Sequence, residues 1–180
     1  QDERIELIKL YLATKKIEGK SDNSISLYRL YLNEFVRIIQ KPLENVTAND
    51  IRMYLYLIQE NRKISNRTLD SRRTVVCSFL GWCAAEGYIS KNPAINIPPI
   101  KYERKERIPL TDIQLERVRN ACSTLRETAM VEVLYSSGCR VTELARLNIS
   151  DVDFDAREIK LFGKGNKHRI SYLSAKAIVA

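Results

Sequence analysis

Two cations in this 180-residue chain, Arg140 and Lys164, sit where side chains can do chemistry. Arg140 follows Gly138, a residue suited to the left-handed cap that ends a helix. It precedes a restart, Val141-Thr142-Glu143-Leu144-Ala145-Arg146-Leu147, in which Val141, Leu144 and Leu147 share one helical face. A guanidinium at such a junction projects from rigid backbone, binds two oxygens of an oxyanion at once and keeps its proton. Lys164 lies in Gly163-Lys164-Gly165-Asn166, a turn signal between two short apolar runs. An ammonium can give up a proton, so it can serve a departing group as general acid. The plain alternatives are a surface salt-bridge arginine and an ordinary hairpin turn. The G-x-x-x-x-G-K-[ST] spacing of a phosphate-cradling loop is absent, so no nucleotide is expected.

The elements that must position these two cations can be read from periodicity. Val152 with Phe154, then Ile159, Leu161 and Phe162, then Ile170, Tyr172 and Leu173 form short period-two runs separated by turn residues. They predict three antiparallel strands, with Lys164 at the tip of the second hairpin and Tyr172 as a packing residue. Upstream, Thr111 is spaced from Gln114 as in a capping box. The segment from Thr124 to Ser137 is apolar on most sides through Met130, Val131, Val133 and Leu134, and is expected to be the buried centre of its domain.

The first half reads differently. Four amphipathic segments carry seams at helical spacing: Ile5, Ile8 and Leu12; Ile25, Tyr28, Leu32, Phe35 and Ile39; Ile51, Tyr54, Leu55 and Ile58; and Leu69, Val76, Phe79, Leu80 and Cys83. Thr47 to Asp50 and Ser65-Asn66 mark the starts of the third and fourth. Short connections between them predict a compact helical bundle. Phe79, Trp82 and Tyr88 read as packing residues in preference to base-stacking ones. Asn96 to Pro109 holds Pro98, Pro99 and Pro109 among Lys101, Arg104, Lys105 and Arg107, and reads as an extended basic linker.

Composition points to a polyanionic partner: 30 Lys and Arg against 22 Asp and Glu give a formal net charge of +8. The stretch Arg62 to Arg73 concentrates Arg62, Lys63, Arg67, Arg72 and Arg73 near a helix start, where backbone N–H groups favour phosphate. Cys77, Cys83, Cys122 and Cys139 form no C-x-x-C pair and His168 is the lone histidine, so no metal site is expected. Val75 to Ala85 is too short and interrupted to span a bilayer, so no membrane role is expected. Reduced cysteines without an export signal suggest the cytoplasm. The chain begins at Gln1 and is expected to be part of a longer protein.

SGCRVTELARL, SDVDF and GKGNKHR, in that order, resemble the first half of the catalytic domain of tyrosine recombinases, the phage-integrase and Xer-like family. The pattern of Ser24 through Phe35, Trp82 to Gly87 and Asn92-Pro93-Ala94 is similar to the family's SAM-like core-binding domain. The resemblance implies a mainly α chain: an α-helical core-binding domain over 1–95, a linker over 96–109, and over 110–180 the N-terminal part of an α+β catalytic domain with a small three-stranded antiparallel sheet. It places the first catalytic arginine at Arg140, its acidic support at Glu143 and the catalytic lysine at Lys164. It implies double-stranded DNA as partner, no cofactor, and assembly of the whole recombinase as a tetramer on two duplexes. Ser65, Asn66, Arg67, Arg72 and Arg73 are the expected contacts from the bundle, Lys101, Arg104 and Lys105 from the linker, and Lys167, His168 and Arg169 beside Lys164.

In that family a tyrosine hydroxyl attacks a phosphodiester, a 3′-phosphotyrosine forms and a 5′-hydroxyl departs. The chain contains neither the later H-x-x-R box nor a tyrosine after it; His168 is followed directly by Arg169. It is therefore expected to bind duplex DNA without cutting it. A non-catalytic DNA-binding regulator using the same fold is the rival, and a helical protein-interaction domain is a weaker third reading.

Overall fold

The structure, a computed structural model, describes residues 2–103, 106–163 and 167–180. The chain divides into two compact units, residues 1–105 and 106–180. Lys164, Arg104 and Lys105 of the sequence-based expectations lie outside the described residues, and of Lys167 only the backbone pairing is described.

The first unit is built from α1 (Glu3–Ile17), α2 (Asp22–Ile38), α3 (Ala48–Arg62) and α4 (Asn66–Ala85). Each starts where a short oxygen-bearing side chain satisfies an orphan N–H. Asp2 accepts from Arg4, Ser21 from Ser24, Thr47 from Asp50 and Ser65 from Thr68. At Thr47 the box is reciprocal, because Asp50 also accepts the Thr47 N–H at 2.9 Å. The buried faces are those the periodicity predicts: Ile8 and Leu12, Leu32 and Phe35, Ile51 and Tyr54, Val76 and Phe79 converge in one core. Burying one such large side chain contributes about 2 kcal/mol. Phe79 is fully buried, with Tyr11 edge-on to it at 5.3 Å, while Trp82 lies 5.4 Å from both Tyr11 and Tyr88. These rings pack on each other.

The start of the segment read as a solvated linker belongs to this core. Ile97 is buried and Ile100 packs against the bundle. The Ile100 N–H donates to Asp70 at 2.9 Å, and the Lys101 carbonyl accepts from Asn66 at 3.2 Å. Prolines at 98 and 99 keep the backbone extended, but the isoleucines flanking them have an apolar surface to bury.

The second unit holds α5 (Asp112–Asn120), α6 (Leu125–Ser137), the single turn α7 (Val141–Leu144), strands β1 (Val152–Asp153), β2 (Glu158–Gly163) and β3 (Lys167–Tyr172), and α8 (Ala175–Val179). The strands form one antiparallel sheet in the order β1-β2-β3, paired Val152 with Ile159 and, across the second hairpin, Ile159 with Ser171, Leu161 with Arg169 and Gly163 with Lys167. The described core of this unit is small: Cys139, Ile159, Leu161, Leu173 and Ala177.

Two expectations fail here. Helix α6 is not a buried centre: Leu125, Met130 and Tyr135 are exposed, and its fully covered residues are Glu132 and Ser137. The sheet's inner face and α8 cover one side of α6, where Val133 and Leu134 meet the core. Tyr172 is not a packing residue either. Cross-strand partners share a face, so Tyr172, opposite Glu158, lies on the outer face with Ile170 and Phe162, all exposed.

Candidate functional site

Arg140 is placed by the junction its sequence predicts. Helix α6 closes on Gly138 in the left-handed conformation, φ 59 and ψ 26, whose N–H donates to the Leu134 carbonyl at 3.1 Å. The chain then runs extended through Arg140, φ −77 and ψ 150, into α7. Arginine is a poor N-cap, since it offers no acceptor to the first turn. Glu143, three residues on, makes the reciprocal half of a capping box, accepting the Arg140 backbone N–H on Oε2 at 2.9 Å and the Arg140 Nη1 on Oε1 at 2.7 Å.

A third donor reaches the same carboxylate from the sheet. Leu161 is buried on the inner face of β2 and pairs with Arg169, so Arg169 also faces inward. Its Nη2 donates to Glu143 Oε2 at 2.8 Å. Two positions further along the same face, Ser171 Oγ donates to the Ser137 carbonyl at 2.8 Å. Strand β3 is thereby tied to both sides of the Gly138 turn.

The electrostatics follow from these three hydrogen bonds, which outweigh the effect of burial. The Glu143 side chain is 3% exposed, against 67% for Arg140 and 44% for Arg169. The Arg140 N–H, then the Arg140 guanidinium, then Arg169, hold its carboxyl down at about 2, so it is ionised at neutral pH. One buried negative charge anchors two guanidiniums on side chains that remain exposed. The three groups together carry net positive charge. Such an arrangement can bind an oxyanion and stabilise charge developing on it, because the donors are fixed before the anion arrives.

Other expected contacts scatter. His168 lies on the outer face of β3, opposite Phe162 and edge-on to its ring at 4.3 Å, so it does not share Arg169's face. In the first unit Ser65 and Arg67 are exposed at the start of α4, with Ser65 Oγ occupied as the cap. The Asn66 amide is used at both ends, accepting from Gln59 at 3.0 Å and donating to the Lys101 carbonyl. Arg73 is held by Asp70 at 2.7 Å.

Arg72 corrects the sequence reading outright. It is 4% exposed, its guanidinium is paired with the buried carboxylate of Glu34, and it lies 4.4 Å from the Tyr31 ring. Arg62 pairs with the other oxygen of Glu34. A buried, neutralised arginine has no face for DNA. Its partner Glu34 sits about 100° round the helix from Phe35, off the seam of Leu32 and Phe35, so no local pattern in the sequence marks this burial.

Sequence reasoning also missed Glu132. It is 1% exposed and accepts Arg119 Nε at 2.7 Å and Nη2 at 2.9 Å, with Lys176 Nζ at 3.3 Å. It joins α5, α6 and α8, and the Arg119 guanidinium, with Lys176, holds its carboxyl below its ordinary value. Among the described residues, no group of three or more His, Cys, Asp or Glu could hold a metal ion, and no helix is long and apolar enough to cross a membrane.

A net-basic helical unit thus precedes a small α+β unit in which one buried carboxylate anchors two arginines. Residues 99–180 match the Phage integrase family and residues 7–88 match the Phage integrase, N-terminal SAM-like domain. The chain belongs to the phage integrase family of tyrosine recombinases. It is 30% identical over 177 residues to Tyrosine recombinase XerC of Herpetosiphon aurantiacus, covering 93% of this chain and 57% of that protein. It is 30% identical over 161 residues to Tyrosine recombinase XerD of Oceanobacillus iheyensis, covering 84% of this chain and 54% of that protein. The chain thus spans a little over half the length of these curated relatives. In fold it matches a lambda integrase dimer bound to a COC′ core site, TM-score 0.77 at 18% identity, over 96% of this chain and 50% of that one. It also matches a lambda integrase tetramer bound to a Holliday junction, TM-score 0.75 at 18% identity, over 97% of this chain and 52% of that one.

Proposed function

We propose that these 180 residues are the DNA-holding part of a site-specific tyrosine recombinase, comprising the core-binding domain, the linker and the first part of the catalytic domain. The single observation that supports the catalytic part is Glu143 anchoring Arg140, whose side chain stays mostly exposed. In the reaction a tyrosine oxygen bonds to phosphorus, the bond to the 5′-oxygen breaks, and that oxygen leaves with a proton. Arg140 binds the non-bridging oxygens, which gain charge in the phosphorane, so it stabilises the transition state more than the ground state. Lys164 gives the proton to the 5′-oxygen. The covalent phosphotyrosine conserves the bond energy, so the scheme needs no cofactor.

Arg67, Lys101, Arg104, Lys105 and Lys167 are the proposed backbone contacts outside the site. Such contacts give salt-dependent affinity and little sequence information. The fold neighbours bound to DNA as a dimer and to a Holliday junction as a tetramer support duplex DNA as partner and a tetramer on two duplexes for the whole recombinase.

Residues 1–180 hold no H-x-x-R box, and binding without cleavage is the reading for them alone. Fluorescence anisotropy with a short duplex over a salt series tests it, alongside a nicked suicide substrate. Affinity falling steeply with salt and no covalent adduct agree with the proposal. Absence of binding at low salt overturns it. Salt-dependent binding by the product of the whole open reading frame, with no adduct, transfers the reading to a DNA-binding regulator.

A further inference from the structure

We infer that Arg169 is a positioning residue that locks the β2–β3 hairpin to Arg140 through Glu143, and is not an independent phosphate contact. The inference rests on the proposed phosphate role of Arg140. Three observations carry it. Arg169 lies on the sheet's inner face, paired with buried Leu161, and not on the outer face with His168. Its Nη2 shares one oxygen, Glu143 Oε2, with the Arg140 backbone N–H, at 2.8 Å and 2.9 Å. Ser171 Oγ makes a second tie from the same strand face to the Ser137 carbonyl, on the other side of the Gly138 turn.

The geometry has a consequence for chemistry. Glu143 is fixed from two directions, by the turn it caps and by the strand it faces. Its Oε1 is thereby aimed at Arg140 Nη1, which sets the direction in which the exposed donors of Arg140 point. Strand β3 is continuous in register from Tyr172 to Lys167, opposite Gly163, the residue that precedes Lys164 in the sequence. Arg169 therefore ties the strand that leads to the candidate general acid to the residue that holds the phosphate. An arginine suits the task better than lysine, because its planar fork gives the carboxylate a directional bond. A carboxylate with one of its three donors removed is held less firmly, and the Arg140 guanidinium then samples a wider range of directions.

Two measurements on the 180-residue chain test this, using Arg169→Gln, Arg169→Lys, Arg140→Gln and the double variant Arg140→Gln/Arg169→Gln. The first is amide hydrogen exchange, which reads the positioning without DNA. Arg169→Gln should speed exchange of the Arg140 N–H about tenfold, the size set by one charge-assisted hydrogen bond, and Arg169→Lys should recover most of the protection. Unchanged exchange at Arg140 in Arg169→Gln overturns the inference. Loss of protection throughout β2 and β3 in both Arg169 variants also overturns it, since Arg169 would then serve only the fold.

The second is duplex affinity over a salt series, read as a double-mutant cycle. A positioning role makes the losses non-additive: the double variant binds no more weakly than Arg140→Gln, because Arg169 then has nothing to aim. Losses that multiply, with the salt slope falling by a further unit of about 0.9 in the double variant, make Arg169 a phosphate contact of its own and overturn the inference. If Arg140→Gln binds as the parent does, the phosphate role of Arg140 fails instead, and the exchange result alone decides whether Arg169 positions it.

Discussion

Arg169 Nη2 and the Arg140 backbone N–H converge on one oxygen of Glu143, at 2.8 Å and 2.9 Å, across a sequence separation of 26 residues between Arg169 and Glu143. A helix turn and a strand are thus bound to the same buried charge. The site's geometry consequently depends on the ionisation of one carboxyl group.

The first prediction concerns pH. The Glu143 carboxyl lies at about 2 in the folded chain against an ordinary value of 4.5. A carboxyl depressed by folding stabilises the fold above its unfolded value, and the contribution is lost as pH falls from there through the folded value. Thermal unfolding of the second unit between pH 5 and pH 2 should therefore fall more steeply in the parent chain than in Glu143→Gln. Parallel pH profiles for the two proteins would remove this role from Glu143.

The second concerns the turn before Arg140. Gly138 has φ 59, and a Cβ added there would meet nothing within 4 Å, so the penalty of Gly138→Ala is backbone strain alone. It should cost about 1 kcal/mol, and Gly138→Asn less, in urea unfolding of the second unit. An unchanged midpoint for Gly138→Ala would show that the left-handed cap is not required.

The third concerns the core-binding bundle. Glu34 is buried between Arg72 and Arg62, and removing its charge leaves a buried guanidinium without a counterion. Glu34→Gln should cost about 3 kcal/mol. Trp82, the one tryptophan of the chain, lies against Tyr11 in this unit and reports the transition by fluorescence. A loss below about 1 kcal/mol, the upper end for surface pairs, would show the pair to be effectively solvated.

The fourth separates surface cations from the buried one. Arg67→Gln and Lys101→Gln should each flatten the log–log salt dependence of duplex binding by about 0.9, at little expense to stability. Arg72→Gln should do the reverse, lowering stability and leaving the slope of the folded fraction unchanged. An equal change of slope for Arg72 and Arg67 would contradict the burial of Arg72.

These cases show what the sequence could and could not convey. The bundle was legible because each helix has one apolar seam and a capping residue, and both signals are local: Thr47 with Asp50, and Ile51, Tyr54 and Ile58 after them. The three strands and the α6–Gly138–Arg140 junction were legible for the same reason. What was not legible depends on partners far away in sequence. Arg72 reads as one of several basic residues until Glu34 of α2 is seen against it, and Arg169 reads as a phosphate contact until Leu161 fixes its face. Glu132 has an unremarkable place in α6 until Arg119 and Lys176 close on it. Met130 and Tyr135 mislead in the other direction: apolar composition alone placed α6 at a centre, although the described core reaches only one of its faces.

The central claim is that Arg140 holds the phosphate at which DNA is broken. Covalent trapping on a nicked suicide substrate by the product of the whole open reading frame encoding this chain tests it most directly. The account predicts a protein–DNA adduct whose rate of formation drops on the order of 10²- to 10³-fold in Arg140→Gln, with duplex affinity reduced far less. An adduct that forms at the parent rate in Arg140→Gln would contradict it.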